Sequence, residues 1–310
     1  MSYEAKMLED LRMPPRKEVE QALLKSLFKH NGVIKEFGVG EEIVDEIAND
    51  FGLTEEQRRA YLETVYRKEN RIKKSSLWHR LLFRSADNLA KENLVSRPTK
   101  TFNLTNKKEW MLTENGFDEA LKLLHISQEQ KEVLPVKSYE VQKVVNKLIE
   151  APRPIDYFPI NEKKATSIVK KEVSIRKRGF RQAVIEAYDY KCAVCGLKLC
   201  SPNKMIWEVE AAHIVPHSSK GKDDVLNGIS LCRLHHWAFD VGWFSFFDDY
   251  TITLSPAATD LKDDYGKLGN FEFIKSLTQP NLKIFLPNNE KIYPHLNSIK
   301  WHRENIFNSK

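Results

Sequence analysis

The ten residues Leu231–Asp240, LCRLHHWAFD, decide the fold of the C-terminal half of this chain, because they put a cysteine, two adjacent histidines and an aspartate within nine positions. A single histidine is ordinarily a satisfied core or surface residue. Four ligand-grade side chains this close together need a common cause, and the cause must explain why the histidines are neighbours. Working outward, Cys232-x-x-His235 has a counterpart upstream in Cys192-Ala-Val-Cys195-Gly196, with Cys195 lying 37 residues before Cys232. Each short pair forms one turn that aims two donors at one point, and two such turns build a closed tetrahedral site of the structural zinc type. Cys192, Cys195, Cys232 and His235 are therefore expected to hold structural Zn2+. Cys200, five residues past the first pair, is read as a spare thiol. Four cysteines without a secretory leader fit a reducing compartment, where metal binding is favoured over disulfides.

That accounts for one histidine. On a helix the next side chain points about 100° away around the axis, so His236 faces a different site from His235. Asp240, four residues on, stacks over His236 on the same helical face. A histidine with a carboxylate suits a divalent cation, Mg2+ or Mn2+, that keeps open positions for water and phosphate oxygens. Upstream, Glu208-Val-Glu210-Ala-Ala-His213-Ile-Val-Pro216 reads as a strand over 207–214 with His213 near its end. The loop HSSKGKDD and then Asn227-Gly228-Ile229 follow it.

The order His213, Asn227 fourteen residues on and His236 nine further, in the string EAAHIVPHS…GKDDVLNGISLC…HHWAFD, closely resembles the pattern of the HNH endonucleases. The likeness runs from about Arg176 to Ile306, taking in FRQAVIEAYDYKC before the first cysteine pair and KIYPHLNSIKWHRENIF at the end. It implies a ββα-metal fold in which His213 is the general base that takes a proton from the attacking water, a role suited to imidazole. Asn227 would hold the loop and orient that histidine, and His236 and Asp240 would bind the catalytic ion. The ion would stabilise the pentacovalent phosphate and the departing 3′-oxygen, leaving 5′-phosphate and 3′-hydroxyl ends. The sequence departs from the pattern at Ala212, where the family often has a metal ligand. Glu210, on the same strand face, is the stand-in expected here. His217, Lys220 and Lys222 are read as solvated loop residues, and Trp237, Phe239, Trp243, Phe244 and Phe246 as core around the metal helix.

The rest of the chain sets the context. A length of 310 residues suits two cores, and 41% hydrophobic with 30% charged residues excludes a disordered chain. The start, MSYEAKMLED, has no apolar leader core and no segment approaches a membrane span, so a cytoplasmic prokaryotic protein without a membrane partner is expected. The net charge of +6 is unevenly spread. Residues 61–110 carry 12 Lys/Arg against 5 Asp/Glu and residues 161–181 carry 8 against 2, whereas residues 1–60 carry 9 against 13. Two basic blocks suggest surfaces for a polyanion.

Residues 15–30 place Val19, Leu23, Leu24, Leu27 and Phe28 on one helical stripe behind Pro14 and Pro15. A helix is expected at 41–51, and Thr54-Glu55-Glu56-Gln57 has the capping-box form that opens another. In 76–92, Trp78, Leu81, Leu82, Ser85 and Leu89 form a buried face, while Arg80, Arg84, Asp87 and Lys91 line the opposite one. NLVSRPTKTFNLTNKKEWMLTENG then reads as a hairpin with a basic tip. Helices followed by such a hairpin make a winged helix-turn-helix. This order, ending in Trp110-x-Leu112-Thr113-Glu114-x-Gly116, resembles the N-terminal winged-helix domain of Mrr-type restriction proteins over roughly residues 15–125. Arg80, Arg84, Lys91, Arg97 and Lys100 are the expected contacts to double-stranded DNA.

The expected class is α+β: a mostly helical winged helix-turn-helix over 1–130, a connector over 131–175 that is either a linker or a strapped-down segment, and a zinc-stabilised ββα-metal nuclease over 176–310. The reading that follows is a restriction-type DNA endonuclease. The Mrr resemblance implies recognition of a methylated base, adenine or cytosine. The alternatives are an endonuclease for an unmodified sequence and a DNA-binding regulator with a catalytically silent HNH scaffold. A centre of this type cuts one strand, so a homodimer, formed either in solution or only on DNA, is expected for a double-strand break.

Overall fold

Apolar spacing builds the first compact unit, Met1–Gln142. The computed structural model describes residues 3–38, 40–66, 71–161, 170–260, 267–268, 271–272 and 282–308. Helix α1 spans Tyr3–Asp10, and α2, Arg16–Lys29, starts behind Pro15 and buries the predicted stripe of Val19, Leu23, Leu24, Leu27 and Phe28. Helix α3 spans Glu42–Asp50. The capping box then forms as read: the Gln57 N–H donates to Thr54 Oγ1 at 3.3 Å and the Thr54 N–H to Gln57 Oε1 at 2.8 Å. The helix it opens, α4, Glu55–Arg59, lasts five residues. Helix α5, Leu77–Lys91, buries Trp78, Leu81, Leu82, Ser85 and Leu89 as its pattern predicts. A small antiparallel sheet in the order β1-β5-β4 joins Val33–Ile34 (β1), Val95–Ser96 (β4) and Trp110–Leu112 (β5).

One expectation is corrected here. β4 and β5 do pair, Val95↔Leu112 and Ser96↔Met111, but the expected basic hairpin tip between them is a helix, α6, Pro98–Thr105. Pro98 occupies the first helical position, where its fixed φ favours the helix and its missing N–H costs nothing. Asn106, left-handed at φ 58°, ends it. The long hairpin of this unit lies earlier, between α4 and α5, where Tyr61–Tyr66 (β2) pairs with Arg71–Ser76 (β3) in the register Tyr61↔Ser76. The Trp110–Gly116 ending is explained by packing. The β5 residues are all buried, Thr113 caps α7 (Glu114–Leu123) by accepting from the Gly116 N–H at 3.1 Å, and a Cβ at Gly116 would lie 1.8 Å from the Leu94 carbonyl oxygen. The chain after α7 stays with this unit. Lys131 reaches the buried Glu114 at 2.9 Å, and Leu134, Val136 and Tyr139 are buried. Residues 131–142, expected in the connector, are therefore packed into the first unit, and the division from the second unit falls within α8, Tyr139–Glu150.

The second unit is Lys143–Lys310. Its centre is a hairpin and a helix, the ββα arrangement expected. Val209–His213 (β6) pairs antiparallel with Gly228–Cys232 (β7), His213 opposite Gly228, and α10, Arg233–Asp240, follows at once. Helix α9, Lys170–Ala187, packs on the hairpin so closely that a Cβ at Gly228 would sit 2.4 Å from a Val184 methyl. Phe244–Phe246 (β8) and Ile252–Leu254 (β9) form a second hairpin, Lys267–Leu268 (β10) and Phe271–Glu272 (β11) a third, and Leu296–His302 (α11) closes the unit. Phe239, Phe244 and Phe246 are core as expected, with the buried His302 stacked on Phe239 at 3.7 Å. Trp237 is not core: among the described residues none covers the outer face of α10 there, and it is 54% exposed.

The proline-rich stretch 151–161 is strapped down. The Lys222 N–H donates to the Pro159 carbonyl and the Asn161 N–H to that of Lys220, both at 2.9 Å, and Asn297 holds the Tyr157 carbonyl at 2.8 Å. The lysine-rich continuation, 162–169, lies outside the described residues. No helix among the described residues is long and apolar enough to cross a membrane.

Candidate metal and catalytic site

The ligand atoms of Cys192, Cys195, Cys232 and His235 all lie within 4.8 Å of one another, the grouping the paired spacing predicts. His235 turns Nδ1 inward, 3.0 Å from the Cys232 sulfur and 3.6 Å from that of Cys192. A sulfur and an imidazole nitrogen on one tetrahedral zinc are separated by roughly 3.6 Å, so the donor set fits zinc in kind, number and spacing. The fold makes this pocket locally. Ala193 donates its N–H to the Ser230 carbonyl at 2.7 Å, which ties the first cysteine turn to β7. Cys232 ends β7 and caps α10, its sulfur accepting from the His235 N–H at 3.5 Å. The Cys192 and Cys232 thiols hydrogen-bond to Cys195 and bring its pKa down to about 3, while Cys232, bonded to Cys192 and Cys195, is pushed far up. A divalent cation favours the thiolate form of every such ligand.

His236, the other histidine, takes different partners. Its Nδ1 lies 2.9 Å from Glu210 Oε2 on β6, and its Nε2 lies 3.5 Å from Asp240 Oδ2 one turn along the helix. Arg233 adds a second contact to Glu210 at 3.4 Å. Burial disfavours the charged ring, but the Glu210 hydrogen bond and the Asp240 and Glu210 charges outweigh it and hold the His236 pKa above its usual value. Glu210 is held below the usual carboxylate range by the same bond from His236, against its own partial burial. The structure thus brings His236, Glu210 and Asp240 together, with the imidazole between the two carboxylates. Among the described residues, only the Cys3His group has three or more ligand atoms gathered this tightly. An ion held through Nε2 has Asp240 beside it, and one held through Nδ1 has Glu210.

His213 lies at the end of β6 with a partner that sequence reasoning missed. Its Nε2 lies 3.0 Å from Asp223 Oδ1, and the other Asp223 oxygen takes Arg176 Nε at 2.7 Å. Phe180 of α9 stacks on the imidazole at 4.1 Å and 19°. His217, read as a solvated loop residue, stands edge-on to the same ring at 6.0 Å. Asn227 is fully buried and acts through backbone. It accepts the Val215 N–H at 2.9 Å and donates to the carbonyls of Val215 (3.1 Å) and Lys222 (3.0 Å). That closes the loop 214–227 on itself behind His213. The neighbouring pair Asp223-Asp224 was the available signal in the sequence, and ten residues separate Asp223 from its histidine.

In the first unit, the five basic residues expected on DNA already have partners. Arg80 and Arg84 both reach Glu4 of α1 at 2.8 Å. Asp87 takes Arg97 at 2.8 Å and Lys91 at 3.1 Å, and these contacts hold its carboxyl below the usual range. Lys100 lies 4.6 Å over the Tyr139 ring. The cationic face predicted from α5 is therefore partly neutralised by acids from elsewhere in the chain. Beside it an open groove of about 760 Å³ is lined by Tyr61, Lys74, His79, Arg80 and Phe83 among others.

Comparison with known proteins bears on the second unit. Residues 192–246 match the family model of the HNH endonucleases. That span contains the Cys3His group, His213, Asn227, His236 and Asp240. Among solved structures, a modification dependent TagI restriction endonuclease shares 18% identity over 45% of this chain and 44% of its own, with a TM-score of 0.31. This chain therefore spans less than half of that protein's length. No curated protein matches.

Proposed function

We propose, from the premise that residues 192–246 are an HNH endonuclease module, that the protein is a metal-dependent DNA endonuclease of restriction type. The observation that carries the reading is the divergence of the two neighbouring imidazoles. His235 joins three sulfurs, and His236 joins two carboxylates on the open side of the same helix. The first set holds zinc and keeps β7 and α10 in place. The second belongs to the catalytic centre, where His236 and Asp240, with Glu210 alongside, would hold Mg2+ or Mn2+. The ion supplies charge for the phosphate and the departing 3′-oxygen. His213 takes the proton from the attacking water, and Asn227 fixes the loop behind it. The products are 5′-phosphate and 3′-hydroxyl ends.

The first unit is assigned to duplex recognition, and methylated DNA is the substrate that the Mrr resemblance implies. Each centre hydrolyses one strand, so a double-strand break calls for two copies of the chain on DNA. The deciding assay incubates the full chain with Mg2+ or Mn2+ and matched methylated and unmethylated plasmids. Cleavage with 5′-phosphate ends that disappears in His213→Ala, with zinc content intact, is expected. Cutting of both plasmids alike would remove the methyl preference. Absence of cutting on either, with both metals supplied, would replace the enzyme with a DNA-binding scaffold.

A further inference from the structure

We propose that Asp223, clamped by Arg176, is the positioning residue that sets the tautomer and orientation of the His213 imidazole. This inference rests on the reading of His213 as the base. Asp223 is outside the His213–Asn227–His236–Asp240 set, and its neighbour Asp224 has a separate task, accepting the Leu226 N–H at 2.9 Å.

The geometry divides the two oxygens of Asp223. Oδ1 faces His213 Nε2 at 3.0 Å and Oδ2 faces Arg176 Nε at 2.7 Å, in a side chain only 4% exposed. A neutral imidazole carries one N–H. Opposite an ionised carboxylate that hydrogen lies on Nε2, and Nδ1 keeps the lone pair that accepts a proton. The stacked Phe180 fixes the plane of the ring, so only tautomer and tilt remain to be set, and Asp223 sets both. When water passes its proton to Nδ1, its oxygen bonds to phosphorus and the P–O3′ bond breaks, the electron pair leaving on O3′, which takes a proton from solvent water to become the 3′-hydroxyl. The imidazolium so formed lies beside the Asp223 charge. Among the described residues, the ionisable groups around the ring are Asp223 from the loop, Arg176 behind it on α9, and His217 edge-on. Burial opposes the Asp223 charge, yet the His213 hydrogen bond and the Arg176 charge outweigh it and keep the carboxyl below its usual range. The arrangement also explains the connection of 214–227 to the strap. Lys222, next to Asp223, is fixed by Asn227 from one side and by Pro159 from the other.

Two readouts on the full-length chain test the proposal. The first, nitrogen-15 NMR of the imidazole, needs no substrate, and the His213 signal is assigned by its loss in His213→Ala. Wild-type His213 is expected as the Nε2–H tautomer. Asp223→Asn should give a mixed or reversed tautomer, and Asp223→Glu should restore the wild-type signature in part. The second readout is plasmid cleavage with Mg2+ against pH. Asp223→Asn should lower kcat on the order of a hundredfold to ten-thousandfold, as a misset tautomer does in an Asp–His pair, with KM little changed and the acid limb of the profile moved. A wild-type ring with its hydrogen on Nδ1, or an Asp223→Asn protein with unaltered tautomer and pH profile, would overturn the inference. Undiminished cleavage by His213→Ala would instead overturn the base assignment beneath it.

Discussion

His235 is 4% exposed and faces sulfur, whereas the side chain of His236, one residue on, is 25% exposed and lies between two carboxylates. The same residue type on one eight-residue helix thus serves two settings that differ in closure. In the first, protein supplies four donors, enough to fill every position of a tetrahedral zinc. In the second, one imidazole and its flanking carboxylates leave room for water and a phosphate. Closed coordination suits an ion that holds structure, and open coordination suits one that takes part in chemistry. The difference arises from backbone alone. Cys232 ends a strand and begins the helix, so the side chain three residues on returns towards it, and the next is carried around to β6.

This contrast can be broken or sharpened by substitution. The largest effect is expected from Cys192→Ser, which opens the closed site. Structural zinc contributes on the order of 10 kcal/mol of binding free energy to such modules, and a unit of this size shifts by about 2–4 °C per kcal/mol. Metal analysis should show zinc lost, and calorimetry should show the second unit melting on the order of 20 °C lower or more. Retained zinc with an unchanged melting temperature would remove the structural role. An intermediate effect, on activity alone, is expected from His236→Ala. Cleavage with Mg2+ should fall on the order of a hundredfold or more, while zinc content and melting stay near wild type. Loss of zinc in this variant would merge the two sites into one. The smallest effect concerns the first unit. Glu4→Gln releases Arg80 and Arg84, and if α5 faces DNA, affinity at low salt should rise severalfold. The slope of log K against log salt should steepen by up to about one for each freed arginine. Unchanged affinity and slope in a filter-binding or anisotropy titration would take α5 out of the DNA surface.

The same contrast explains what the sequence made legible. Cys192-x-x-Cys195 and Cys232-x-x-His235 could be read because each pair is one turn long, and local geometry dictates where its donors point. The α2 and α5 stripes were legible for a similar reason, since periodicity reports burial directly. Partners distant in sequence were not legible. Glu4 lies 76 residues from Arg80, and nothing near Arg80 announces that its charge is taken. Asp223 looked like one more acid in a polar loop, because its pairing depends on how 214–227 folds back. Pro98 was read as part of a hairpin tip, although a proline opens a helix as readily as it makes a turn, and the β2–β3 hairpin was hidden by its polar residues. Trp237 shows the limit of composition as a guide: an aromatic among aromatics lies at the surface because, among the described residues, none covers that side of α10.

The strap has a consequence for dissecting the protein. Pro159 and Asn161 are bonded to the backbone of Lys222 and Lys220, next to the residue that contacts His213. A nuclease fragment cut to begin at α9 would lack these contacts and leave that loop without its outer support. A hybrid that replaces 151–161 with glycine and serine would do the same. The smallest piece that keeps the loop intact therefore begins no later than Ala151, and the peptide between the two halves is a part of the catalytic end rather than a tether.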